Sequence, residues 1–240
     1  MIQINNITKV YSKKVKAVDQ LTLTIPDGKI VGFIGPNGAG KTTAIKMMCG
    51  ILKPDTGNVL LNGFDITKEP LEAKKQFGYV ADEADIFLRL KGIEYLNLMG
   101  DIYEVEPSIR IERIQKYAQQ FGMSDALNDK ILSYSHGMRQ KIVLMGAILH
   151  QPSIWILDEP LTGLDPQSSF ELKEMMRDHV RNNKTVFFST HVLEVAEKLC
   201  DYVIIINFGK VLYEGTLQDL KDRYPDQSLE AIFLEVTQSE

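Results

Sequence analysis

The chain has 240 residues, 44% hydrophobic and 25% charged, which fits one large globular domain, with or without an insertion, that can bury a core without staples. A formal net charge of −5 argues against nucleic acid as the main partner, because duplex binding relies on clustered cations. Cys49 and Cys200, far apart in apolar helix-like segments, read as buried reduced thiols, which excludes a disulfide framework and makes the cytoplasm the default compartment.

The opening residues lack the apolar core of a signal peptide, and no run reaches the ~20 apolar residues a spanning helix needs. Ile2 and Ile4, then Leu21, Leu23 and Ile25, alternate with polar residues at the period of strands. Pro26-Asp27-Gly28 marks a turn, and Lys29 to Ile34 is an apolar, β-branched run that predicts a buried strand. A glycine-rich loop follows, then a helix from about Lys41 to Ile51, a turn at Pro54 to Gly57 and a short strand at Val59 to Leu61. From about Gly92 to His150 the pattern becomes helical, with Ile111, Ile114, Ala118 and Phe121 forming one apolar stripe. Ile154 to Leu157 and Thr185 to Ser189 read as buried strands, each trailed by a helix. Tyr202 to Ile206 and Lys210 to Tyr213 read as a closing strand pair, and Leu229, Ile232, Phe233 and Val236 share one face of a terminal helix. Such alternation predicts an α/β fold with a mostly parallel sheet, an antiparallel β portion at the N-terminus and an inserted helical subdomain. The expected division is a domain over 1–225, with the helical insertion at about 85–150, and a docking tail over 226–240.

Two segments carry phosphate chemistry. Gly35-Pro36-Asn37-Gly38-Ala39-Gly40-Lys41-Thr42, followed by Thr43, fits GxxxxGK[ST] between a strand and a helix. Its glycines let backbone N–H groups close on phosphate oxygens, and the helix start adds partial positive charge. Lys41 supplies a point charge for the β- and γ-phosphates, and the Thr42 hydroxyl a ligand for Mg²⁺. The apolar strand Ile154 to Leu157 ends in Asp158 and Glu159. There Asp158 is placed to hold Mg²⁺ through its water shell, and Glu159 to orient or deprotonate an attacking water. Together they define a P-loop NTPase. No NKxD-type segment for guanine is present; Asn182-Asn183-Lys184-Thr185 does not fit it.

Three further segments, in the order that family uses, resemble those of ATP-binding cassette (ABC) ATPases. Ser133-Tyr134-Ser135-His136-Gly137-Met138-Arg139-Gln140 is similar to the signature sequence, Leu161-Thr162-Gly163-Leu164-Asp165 to the D-loop, and His191, after the strand Val186 to Thr190, to the switch histidine. Tyr11 matches the aromatic residue that stacks on adenine. The resemblance runs from Met1 to about Asp222. It implies an ATPase subunit of a transporter that works head to tail with itself or with a sister subunit. Ser135 and Gly137 would contact the γ-phosphate held by the opposite chain, His191 would sense that phosphate, and Asp165 would sit at the dimer interface. The subunit would ride on an integral membrane permease, contacted at about Asp82 to Leu98, at the cytoplasmic face of the cell membrane. The Tyr-Ser-x-Gly-Met pattern and the segment Leu229 to Leu234 look most like single-cassette bacterial export systems. A non-transport ABC protein acting on ribosomes or DNA is the alternative class, but it would want a second cassette with a charged linker or a long coiled coil.

Two positions depart from the family pattern. His136 stands where the signature has glycine. Asp82 stands where a glutamine usually approaches the metal; its carboxylate would either bind the metal more strongly or withdraw from the γ-phosphate.

Overall fold

The computed structural model describes residues 1–11, 15–82 and 87–238. Strands β1 (Ile2–Tyr11) and β2 (Val15–Ile25) pair antiparallel, with Ile2 opposite Ile25 and Ile4 opposite Leu23. Strand β3 (Ile30–Ile34) leads through the glycine loop to α1 (Lys41–Met48). The helix stops before Ile51, because Gly50 takes a left-handed φ of +67° while its N–H donates to the Met47 carbonyl and that of Ile51 to the Lys46 carbonyl, a Schellman closure. Next come β4 (Thr56–Leu61), β5 (Phe64–Asp65), α2 (Pro70–Lys75) and β6 (Phe77–Val80). The helical middle holds α3 (Gly92–Ile102), α4 (Pro107–Gln120) and α5 (His136–Ile148). Strand β7 (Ile154–Asp158), α6 (Pro166–Arg181), β8 (Thr185–Thr190) and α7 (Leu193–Leu199) restore the alternation. The chain closes with β9 (Tyr202–Asn207), β10 (Lys210–Thr216), α8 (Leu217–Arg223) and α9 (Leu229–Gln238).

One sheet is antiparallel, in the order β2-β1-β4-β5. The other runs β10-β9-β3-β8-β7-β6; its strands are parallel except β10, which pairs antiparallel with β9. The second sheet is buried on both faces, which is why its strands read as continuous apolar runs. Period two then sorts each strand between two cores. Trp155 and Leu157 of β7 face the core with the helical middle, while Ile154 and Ile156 face α1 and the antiparallel sheet. In β9, Val203 and Ile205 join the first core, Ile204 and Ile206 the second. Truncating one of these isoleucines to alanine costs about 2–5 kcal/mol.

The α4 stripe differs from expectation at one end. Ile114, Ala118 and Phe121 are buried, joined by Tyr117, but Ile111 is 57% exposed. The first turns of α4 run past the edge of the core, so helical spacing continues there without a surface to pack on. Leu229 and Ile232 of α9 are fully buried with the core that holds Ala196 and Leu199 of α7, and Phe233 and Val236 pack against it. Both cysteines are buried and unbonded, and burial pushes both thiols up.

Candidate nucleotide site

The phosphate loop leaves the C-terminal end of β3, the end at which ligands bind in open α/β sheets. Its last glycine, Gly40, caps α1 at φ +104°, and a Cβ there would lie 2.2 Å from the Ala17 carbonyl oxygen. Only glycine fits that bend. The loop, Lys41, Thr42 and Thr43 line a pocket of about 210 Å³, closed by Ala17, Asp82 and Glu159. Lys41 is buried; its Nζ donates to the Gly35 carbonyl at 2.6 Å and the Pro36 carbonyl at 3.3 Å. Burial lowers the Lys41 pKa, and attraction from Glu159, Asp158 and Asp82 opposes that loss of charge.

Neighbouring strands deliver the acidic groups. Asp158, the last residue of β7, is fully buried and pairs in register with Ser189 of β8. The Ser189 hydroxyl donates to Asp158 Oδ1 and accepts from the Glu159 N–H at 3.0 Å. Asp158 Oδ2 has no partner among the described residues, and a buried carboxylate oxygen left so is costly. It suits a cation beside the Thr42 hydroxyl. Glu159 holds a left-handed backbone at φ +49°, a conformation that costs a non-glycine residue about 1–3 kcal/mol and clusters at functional sites. The bend turns its carboxylate into the pocket: Oε1 lies 3.8 Å from Lys41 Nζ and Oε2 lies 3.0 Å from His191 Nδ1. His191 follows β8 directly and is half exposed.

Lys41, Thr42, Asp82, Asp158, Glu159 and His191 therefore converge. The signature residues do not join them. Ser135 caps α5, its hydroxyl accepting from the Met138 N–H at 3.3 Å, and neither it nor Gly137 lines the phosphate pocket. Gly137 and His136 lie against the D-loop instead. A Cβ on Gly137 would sit 2.7 Å from the Gly163 carbonyl, and the His136 ring occupies the space where a Gly163 side chain would go. Asp165 caps α6 through both Ser168 groups and pairs with Lys141 of α5 at 2.8 Å. The Lys141 contact, followed by the Ser168 bonds, holds its carboxyl well below the usual range. Both Asp165 oxygens are thus engaged within the chain. Tyr11 ends β1, opposite Val15, and is 45% exposed. Glu83, a fallback acid for the chemistry, lies outside the described residues.

Sequence reasoning missed Ser189 and Lys141. The signal for Ser189 was a small hydroxyl residue inside the buried run Thr185-Val186-Phe187-Phe188-Ser189-Thr190. Its role needed the register between β7 and β8.

A strand–glycine loop–helix unit, a neighbouring strand ending in paired carboxylates and a histidine on that carboxylate define a P-loop ATPase of the cassette type. A family model described as "ABC transporter" matches residues 18–162. The chain is 37% identical over 238 residues to the ABC transporter ATP-binding protein NatA of Bacillus subtilis, covering 98% of this chain and 97% of NatA. It belongs to the ABC transporter family, as an ATP-binding ATPase subunit. A solved structure described as the ATP-binding subunit of an ABC transporter superimposes with a TM-score of 0.93 at 29% identity, covering 99% of both chains. A dimeric post-hydrolysis cassette, MJ0796 bound to ADP and phosphate, shares the fold at a TM-score of 0.82 and 22% identity, over 90% of this chain and 99% of that one.

Proposed function

We propose that Glu159 is the catalytic carboxylate of an ATP hydrolysis that requires two cassettes and drives a separate membrane permease. The observation that carries this reading is the Glu159 carboxylate between Lys41 and His191, on a pocket that the signature residues do not reach. Loop N–H groups, Lys41 and Thr43 hold the phosphates of ATP. Water attacks the γ-phosphorus, its proton passes to Glu159, and the bond to the ADP oxygen breaks. His191 orients Glu159 and contacts the γ-phosphate. Asp158, Thr42 and Asp82 are the residues that would hold Mg²⁺, which supplies charge neutralisation when bound. Tyr11 stacks on adenine. Ser135 and Gly137, at a helix N-terminus suited to anions, complete the site of a second subunit, a copy or a sister chain. Asp165 serves that interface by fixing the D-loop to α5.

Support for the permease contact is an apolar cleft of about 360 Å³ between the end of α1, β6 and α3, lined among others by Ile51, Tyr79, Phe87 and Met99. It lies along the segment expected to meet the partner, of which residues 83–86 fall outside the described structure. Among the described residues no helix is long and apolar enough to cross a membrane. The subunit would work at the cytoplasmic face, held by the permease. The export direction rests on the Tyr134-Ser135-x-Gly137-Met138 pattern and the C-terminal segment. The domain limits we favour remain 1–225 with an insertion at about 85–150 and a tail over 226–240.

The test is Glu159→Gln. It keeps shape and removes basicity, so hydrolysis should fall ~10²–10⁴-fold while ATP still binds. An ATP-dependent closed dimer should accumulate on size-exclusion chromatography and be absent with ADP, with the sister subunit supplied if copies do not pair. Normal turnover would remove Glu159 from the role.

A further inference from the structure

A second cleft lies at the opposite end of the parallel strands, by the N-terminal ends of β7 and β8. Nucleotide groups sit at the C-terminal ends of β7 and β8, whereas this cleft is bordered by Trp155, near the start of β7, and Lys184, just before β8. At ~3.3 Å per strand residue, Trp155 and Asp158 are about 10 Å apart along β7. The cleft encloses about 530 Å³, within the range of small-molecule sites. It joins α4 of the helical middle, through Lys116 and Tyr117, to α6 of the core, through Met175 and His179.

Three observations point to its chemistry. First, its charge is uncompensated. Lys116 and Lys184 line it, burial and then the Arg113 cation disfavour charge on Lys184, and among the described residues neither lysine has a carboxylate within 4.0 Å. Among the described residues Lys184 Nζ donates only to the Gln151 carbonyl, at 3.1 Å. The one acid in the lining, Asp178, pairs outward with Arg181 at 2.9 Å. Two lysines on one cleft, with its single lining acid paired to Arg181, leave a positive field. Second, the buried part of the wall is aromatic: Trp155 and His179 stack at 4.2 Å, with Tyr117 beside them in the lining. Third, Trp155 Nε1 and His179 Nε2 are buried without a partner among the described residues. Burial, then Lys184, pushes the His179 pKa down to about 4, so this ring adds no charge at neutral pH.

We infer that this cleft binds a small planar organic anion, its acidic group held by Lys116 and Lys184 and its ring against the Trp155 and Tyr117 wall. Because the cleft spans α4 and α6, an occupant ties the helical middle to the core.

Trp155 is the chain's only tryptophan, so its emission reports the cleft alone. Benzoate is the probe, with acetate as an anion without a ring and benzamide as a ring without charge. Benzoate should change Trp155 emission saturably at millimolar concentration, and acetate and benzamide should act at least about tenfold more weakly. The double variant Lys116→Gln/Lys184→Gln should weaken benzoate about tenfold or more, equivalent to ~1.4 kcal/mol, with ATP hydrolysis unchanged. Gln151→Glu, which places a carboxylate beside Lys184 and Arg113, should weaken it similarly and keeps the test open if the double variant folds poorly. The response should persist in Lys41→Ala, which separates this cleft from the phosphate loop. No saturable response to benzoate, an equal response to acetate or benzamide, an undiminished response in the lysine and Gln151 variants, or its loss in Lys41→Ala would each overturn the assignment.

Discussion

Around the phosphate loop, side chains from separate elements meet. Lys41 comes from α1, Asp158 and Glu159 from the end of β7, His191 from the end of β8, and Asp82 from the segment after β6. At the start of α5, His136 and Gly137 lie against the D-loop of the same chain, and the Lys141–Asp165 pair braces the two segments. One region aims its groups into a common pocket; the other presents a capped helix start outward, braced from behind. The contrast teaches that the chain carries two unlike half-sites. A braced helix start with Ser135 exposed leaves its N–H groups open to an anion, and on the function proposed above that anion is the nucleotide of a second cassette.

The comparison can be broken most forcefully at the pocket. Lys41→Ala removes the one side-chain cation of the loop, so ATP binding and hydrolysis should both fall to background in a fluorescent-nucleotide titration and a phosphate-release assay. Wild-type-like hydrolysis would mean the loop is not the phosphate site. At the other half-site, Ser135→Arg should leave nucleotide binding by the isolated chain within about twofold, a small change on the scale of 1.4 kcal/mol per decade, yet abolish ATP-dependent dimers. Lost monomer binding would merge the two regions into one.

A smaller effect is expected where strands position the pocket. Ser189→Ala removes the hydroxyl that joins Asp158 to the Glu159 N–H. Leaving those buried groups unpaired should cost about 1–3 kcal/mol in urea unfolding and slow hydrolysis without weakening ATP binding. Unchanged stability would show that Ser189 merely fills space. The smallest effect belongs to Asp82, which is exposed but lines the pocket facing Lys41. Asp82→Gln should shift the Mg²⁺ concentration needed for half-maximal hydrolysis and leave ATP affinity nearly unchanged. A large loss of affinity would place Asp82 on the base or α-phosphate instead.

The parts legible from sequence were those whose meaning is local. A glycine loop needs only its neighbours to bend, so Gly35 to Thr42 announced a phosphate site before any fold was known. Asp158 and Glu159 stood out because two carboxylates close an apolar strand, and Ser135 through the likeness of its segment to the cassette signature. Buried parallel strands were visible for the same reason: two covered faces require unbroken apolar runs.

What only the tertiary structure decided were relations between distant segments. Period alone placed Ile111 on the α4 stripe, but the core ends before it, and no local rule tells a helix where its neighbour stops. The register that sets Ser189 against Asp158 is a pairing between strands 31 residues apart in sequence, and register is fixed by how whole apolar faces match. The fit of His136 against Gly163 turned a departure in the signature into a packing contact. The direction of the Glu159 carboxylate followed from a left-handed backbone that its residue type does not favour. Local chemistry is written in adjacent residues, but direction and distance between groups come from packing, which sums over the whole chain.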